Sequence, residues 1–359
     1  KVTMMNEFDK RCRRLRQKMQ EASVDAYLVT SPDNIYYLSG FTGDAGVLLV
    51  TEQERYLITD ARFETQIAQT NPWLKAVITR DYFRQALELC EREHVVALAF
   101  EESLSYQVYD QLDEYAPCDL VALSGLIETL RSQKSAVEIE KIKASCRLAK
   151  AGFEHVLKAA RPGLEERDLA LELDHYMRKN GASQASFETI VASGTRSALP
   201  HGVASNKKLA SGDLVTLDYG YFLDHYTSDV TRTFALGKVD PRLKEIYNIV
   251  SEAKQLTIEA VRPGITGKEL DQIGREYITQ KGYDKYFEHG MGHGIGLNVH
   301  EGPYIGKTST EVLQPGQVIT IEPGIYLPDL GGVRLEDDVL VTETGYENLT
   351  DFYQEYYEI

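Results

Sequence analysis

Residues 214–234 read LVTLDYGYFLDHYTSDVTRTF. Two runs rich in Val, Thr, Tyr and Leu flank a polar bend at Leu223-Asp224-His225, which is the composition of a β-hairpin. Asp218 stands between Leu217 and Tyr219 in the first run, and Asp229 precedes Val230 in the second. A carboxylate inside an apolar strand is costly unless it is paired, hydrogen-bonded or bound to a cation. Across one hairpin the two acids are expected to face each other at roughly the 5 Å of cross-strand neighbours, each raising the other's pKa. Taken alone, the pair also fits two acids at strand ends turned to water. The rest of the chain decides between the two.

The hairpin has a counterpart. LASGDLVTLDYG (209–220) aligns with LQPGQVITIEPG (313–324), which sets Asp218 against Glu322, and Asp229 falls close to Glu336 in GGVRLEDDVLVT (331–342). Upstream, two helix-like segments, 153–181 and 250–282, each break at Arg-Pro-Gly (161–163 and 262–264) and end on a glycine, Gly181 and Gly282. Two copies of helix, turn, helix and acid-bearing hairpin imply half-domains related by an approximate two-fold axis. Neither half could bury its sheet face alone, and together they bring four carboxylates to one centre. Desolvation costs several kcal/mol per ion, so four uncompensated charges could not share such a site. Two divalent cations balance them in formal charge. The glycine-rich run EHGMGHGIGLNVHEGPYIG (288–306) adds His289, His293 and His300 where backbone can approach a ligand closely. One imidazole with four carboxylates suits Mn²⁺, Co²⁺, Fe²⁺ or Zn²⁺. A pair of such ions can deprotonate a bridging water and polarise a carbonyl.

The 359 residues suggest two domains, and 43% hydrophobic with 26% charged residues is ordinary for a soluble globular chain. A formal charge of −16 argues against a nucleic-acid surface. No run approaches the length of a membrane span, and the start lacks the apolar core of a signal peptide, so a cytoplasmic protein is expected. Residues before Met4 or Met5 read as an expression remnant. Cys12, Cys90, Cys118 and Cys146 form no Cys-x-x-Cys, which suits reduced thiols and argues against a thiolate zinc. Phe8, Cys12, Leu15 and Met19 recur at helical spacing over 6–21, with Arg and Lys on the expected solvated face. The β-like runs DAYLVT, GVLLVT, RYLITD and VVALAF alternate with helix-like 62–69 and 83–92, describing an α/β domain over 1–131 without a glycine-rich phosphate loop. The tyrosines of SPDNIYYLSGF are expected in its core. Ser132 or Ser135 opens a helical pattern to about Ala160, and the duplicated domain spans 132–359.

The order Asp218, Asp229, His293, Glu322, Glu336, with HGMGHGIGLNVHEGP, TIEPGIY and GGVRLEDDVLVT around it, resembles the dinuclear site of the pita-bread metallopeptidases. The resemblance covers essentially the whole chain. It implies a creatinase/prolidase-type α/β N-terminal domain and an α+β pita-bread catalytic domain with an internal pseudo-two-fold repeat. It further implies that Asp218 chelates one metal, that Asp229 and Glu336 bridge two, and that His293 and Glu322 complete the other, with Mn²⁺ the first choice. Glu322 is similar to the acid that shuttles protons. His201, in LPHG, resembles the histidine that steadies substrate, and His289 and His300 match histidines that hold the substrate main chain or assist proton transfer. Arg334 would orient the carboxylates from behind. His225 is set aside as a loop histidine.

Methionine aminopeptidase resembles only the second half, and creatinase lacks the ligand set. Hydrolysis of the bond before proline remains, a tertiary amide without an N–H. A dipeptidase needs a cation for the free C-terminal carboxylate. The stretch after His300, EGPYIGK, offers no Arg, and Lys307 is its first cation. Together with SGFTGDAGVLL and TDARF, this favours aminopeptidase P over prolidase. A metal-free binding module is the third possibility, set against by the intact ligand set. The expected partners are a proline-containing peptide and, by resemblance, a second copy joined through the N-terminal domain.

Overall fold

The computed structural model describes residues 6–359; the stretch before Met4 or Met5 lies outside them. The chain divides between Arg131 and Ser132 into two compact units. The first holds a six-stranded sheet in the order Lys75–Ile78, Arg55–Thr59, Val47–Thr51, Ala26–Val29, Ala97–Phe100, Asp119–Ala122. Its central pairs are antiparallel and its flanking pairs parallel. The four inner strands are the apolar runs of the sequence. The two edge strands are short and largely exposed, so no burial pattern marked them.

Helix Glu7–Glu21 buries Cys12, Leu15 and Met19 as its spacing predicts. Its basic face is not wholly solvated, however. Arg11 is buried with its guanidinium 4.3 Å from the Tyr37 ring centroid, and Arg16 donates to the carbonyls of Thr51 and Glu54. Arginine stems pack on apolar surface while their heads find carbonyls. Tyr37 is core and Tyr36 half-buried. All four cysteines are free thiols. Among the described residues no helix is long and apolar enough to cross a membrane.

In the second unit, Ser135 caps helix Ala136–Ala159 in a reciprocal capping box with Glu138. Helix Glu166–Lys179 follows, and Pro241–Glu259 with Gly267–Gln280 repeats the pair. The connecting turns are built alike. Gly163 and Gly264 both take positive φ, at 91° and 87°, which explains glycine at each. Gly163 N donates to Leu209 O at 2.8 Å, and Gly264 N donates to Leu313 O at 3.0 Å. Each helix pair covers a sheet over its own apolar core. The first sheet contains Ile190–Ser193, Leu214–Tyr219 and Val230–Ala235. The second contains Glu301–Ile305, Gly292–Gly294, Val318–Ile321, Asp337–Val341 and Tyr346–Asn348. The sheets meet where Glu336 N donates to Thr231 O at 3.1 Å.

Register corrects one expectation. Asp218 lies opposite Thr231, and continuing the same register places Asp229 opposite Gly220. The two aspartates are therefore diagonal neighbours on one face, with Thr231 between them. In the second half the shared register of Val318–Ile321 with Asp337–Val341 and of Gly324–Leu327 with Gly331–Arg334 sets Glu322 opposite Glu336.

Candidate metal centre

Strand alternation aims the acids. Asp229 and Thr231 point the same way from one strand, and Asp218 joins them from its neighbour. Glu322 and Glu336 occupy the gaps where the second hairpin changes sheets. Asp218, Asp229 and Glu336 are all under 10% exposed, which excludes acids turned to water. Ligand atoms of Asp229, His293 and Glu336 lie within 4.8 Å of one another. His293 Nε2 stands 3.5 Å from Glu322 Oε1 and 3.7 Å from Asp229 Oδ2. Asp218 lines the same cavity of about 250 Å³, as do His201, His289, His300, Tyr304, Phe187 and Ile190.

The donor set fits divalent cations on its own chemistry. His293 Nδ1 contacts the carbonyl of Gly294 at 3.1 Å, and a carbonyl only accepts, so Nδ1 carries the hydrogen. Its Nε2 lone pair then faces two carboxylates, acceptors against acceptors, with its pKa pushed down to about 4 by burial. Burial and then the Glu336 charge hold Asp229 well above the carboxylate range, and burial does the same to Glu336 before Glu322 adds to it. Burial raises Glu322 to about 8. Asp218 Oδ1 is buried without a hydrogen-bond partner. Positive charge among these groups removes the lone-pair conflict, the repulsion and the orphaned oxygen together.

Behind the acids, Arg334 is buried and donates four ways: Nη2 to Asp218 Oδ2 at 2.5 Å, Nε to Thr231 Oγ1 at 3.2 Å, and Nη1 to Pro200 O at 3.0 Å and Tyr326 Oη at 2.8 Å. Thr231 Oγ1 donates onward to Glu336 Oε2 at 2.6 Å. One guanidinium thus fixes acids from both halves. His289 Nδ1 donates to Gly290 O at 2.8 Å, so Nε2 accepts from Tyr326 Oη at 2.9 Å and both ring nitrogens are engaged. Burial pushes its pKa down to about 4. His201 and His300 are exposed at the cavity rim, with the His300 ring 4.4 Å from that of His293.

All nine residues singled out in the sequence line this cavity, so the fold brings every one of them together. Tyr326 and Thr231 were missed. A period of two carried a signal for both, since Thr231 follows Asp229 and Tyr326 follows Glu322 at even spacing along their strands. Tyr304, opposite His293 across a strand pair, was missed too, and nothing local marked it.

Residues 140–343 match the metallopeptidase family M24, and residues 11–133 match the creatinase/prolidase N-terminal domain. The chain is 39% identical over 349 residues to the Xaa-Pro dipeptidase of Pyrococcus horikoshii, covering 96% of this chain and 98% of that one. The solved Xaa-Pro dipeptidase from Bacillus anthracis is 42% identical with a TM-score of 0.96, covering 98% of this chain and 100% of that one. The X-Pro aminopeptidase from Thermotoga maritima is 34% identical with a TM-score of 0.89, covering 95% and 100%. With an N-terminal α/β unit of the creatinase/prolidase type and a duplicated, acid-lined second unit, the chain belongs to metallopeptidase family M24.

Proposed function

We propose that this protein is an Xaa-Pro dipeptidase that hydrolyses the bond preceding proline with two divalent metal ions, Mn²⁺ first among them. The convergence of Asp229, His293 and Glu336, with Asp218 and Glu322 beside them, carries this reading. Asp218, Asp229, His293, Glu322 and Glu336 would hold the ions, with Asp229, His293 and Glu336 close enough to share one. When bound, the metals supply an activated water and an electrophile for the scissile carbonyl. Glu322, beside His293 in the same cavity, would carry the proton between water and leaving nitrogen. His201 and His300 orient the substrate from the rim, and Phe187, Ile190 and Pro200 offer an apolar wall to the proline ring. The Xaa-Pro bond has no N–H, so the site needs no acceptor for one.

Dipeptidase replaces aminopeptidase P as the preferred reading. The missing arginine favours the latter, whereas relatives at 39–42% identity carry the dipeptidase name and the aminopeptidase neighbour stands at 34%. Aminopeptidase P stays as the second reading on one observation. Arg334, the one arginine lining the cavity among the described residues, is committed to Asp218, and Lys307 does not line it. Metal-stripped protein reconstituted with Mn²⁺ and given Xaa-Pro dipeptides and Xaa-Pro-Yaa tripeptides separates them. Dipeptide cleavage supports the proposal; cleavage of tripeptides alone replaces it with aminopeptidase P; no cleavage with any divalent metal removes both.

A further inference from the structure

Glu166 begins helix Glu166–Lys179, is fully buried, and does not line the cavity. Its carboxylate nonetheless gathers one loop around itself. Oε1 accepts from Ser193 N and Ser193 Oγ, both at 2.8 Å. Oε2 accepts from Ser205 N at 3.2 Å, from Ser205 Oγ at 2.7 Å, and from the guanidinium of Arg196, with which it also forms an ion pair. Arg196 Nη2 donates to Val203 O at 2.8 Å, closing the loop on itself. A carboxylate has about four lone-pair sites, and this one spends all of them on residues 193–205.

Ser197 Oγ donates to Gly194 O and accepts from Gly332 N at 2.9 Å, tying the same loop to the strand that carries Arg334. The tip stands clear of these ties: Leu199 is 52% exposed, and Pro200 and His201 follow. The Pro200 carbonyl accepts from Arg334, and His201 reaches the cavity rim.

The duplication supplies the control. The position equivalent to Glu166 is Gly267, where an added Cβ would stand 2.3 Å from Tyr304 O. Glycine there serves close packing and can hold no loop. A carboxylate needed only by the scaffold would be needed in both halves; it occurs where the following loop bears His201.

We infer that Glu166 is a positioning residue: through Ser193, Arg196 and Ser205 it sets the loop that presents His201 and the Pro200 carbonyl to the centre. The inference rests on the proposed Xaa-Pro peptidase reading. The test is a double-mutant cycle on Mn²⁺-loaded protein with an Xaa-Pro peptide, comparing wild type, Glu166→Gln, His201→Ala and the double variant for kcat, KM and bound metal. Glu166→Gln is expected to lower kcat about 10–100-fold with metal stoichiometry unchanged, the size of the loss when a substrate-orienting group is misplaced from a distance. In the His201→Ala background the same change should cost less than about threefold, because the histidine it positions is gone. Equal losses in both backgrounds would overturn the inference. Should Glu166→Gln not fold, the cycle of Arg196→Ala with His201→Ala decides it by the same comparison, since Arg196 is partly exposed. A wild type inactive on every Xaa-Pro peptide removes the peptidase reading and this role with it, whereas an active wild type with additive losses removes only the role.

Discussion

Gly163 and Gly264 make the same turn, yet three residues on stands Glu166 in one half of the catalytic unit and Gly267 in the other. The halves share helix pairs, turns and acid-bearing hairpins, and they differ in how the histidine segments are held. In the first half Glu166 gathers the His201 loop. In the second, Asp271 pairs with Arg275 in a fork, both contacts at 2.7 Å, and Arg275 donates to the carbonyls of Phe287 and His289. Lys134 pairs with Glu301 at 3.2 Å, next to His300, both side chains buried. Duplication reproduced the backbone that places four acids at one centre. Each histidine segment is held by its own charge pair with a buried carboxylate.

The largest effect expected from this comparison concerns the acids at equivalent positions. Asp229→Ala and Glu336→Ala should each abolish metal binding and hydrolysis together, beyond the roughly 100-fold that groups behind a metal site are worth. Metal analysis and peptide assays check both, and a variant that keeps activity without metal ends the dinuclear proposal. Next is Lys134→Met, which deprives buried Glu301 of its lysine. Breaking one side of a buried pair costs about 3–5 kcal/mol, readable as a lowered denaturation midpoint. A shift under about 1 kcal/mol would show that the His300 segment is held by other means.

The third prediction concerns pH and the metal-free protein. Glu322, raised from 4.5 to about 8 in the folded state, contributes stability that is full below pH 4.5 and lost as pH rises through 8. His289 and His293, lowered from 6.5 to about 4, act in the opposite sense, but only below pH 6.5. Between pH 6.5 and 8.5 the acid remains, so metal-free protein should lose on the order of a few kcal/mol and metal-loaded protein should not. Thermal melts with and without Mn²⁺ across that window test the sign. A metal-free protein that gains stability there would mean the acids are already compensated. The smallest effect is at the turns: Gly163→Ala and Gly264→Ala should each cost about 1–2 kcal/mol from positive φ alone, since an added Cβ meets nothing within 4 Å at either. Unequal costs would break the equivalence of the two turns.

Much of the site was legible because its signals are local or periodic. Acids interrupting apolar runs, histidines among glycines and turns recurring 101 residues apart need no three-dimensional information. The diagonal placement of Asp218 and Asp229 was not legible, because it depends on a register that continues through the break at Gly220. Helical spacing assigns Arg11 to the solvated face because it reports a face and not the acceptors above it.

From the sequence alone came the duplication, the two-domain plan, the four acids and the histidine-glycine run, since each is written in spacing along a single chain, while His201 and Arg334 came from the family resemblance. Tertiary structure alone decided which nitrogen of His293 is free, that Arg334 holds Asp218 from 116 residues away, and that Glu166 serves a loop 27 to 39 residues downstream. Those are choices among hydrogen-bond partners. A partner is selected by proximity in the folded state, where an unpaired buried group is penalised, and sequence distance carries no record of that.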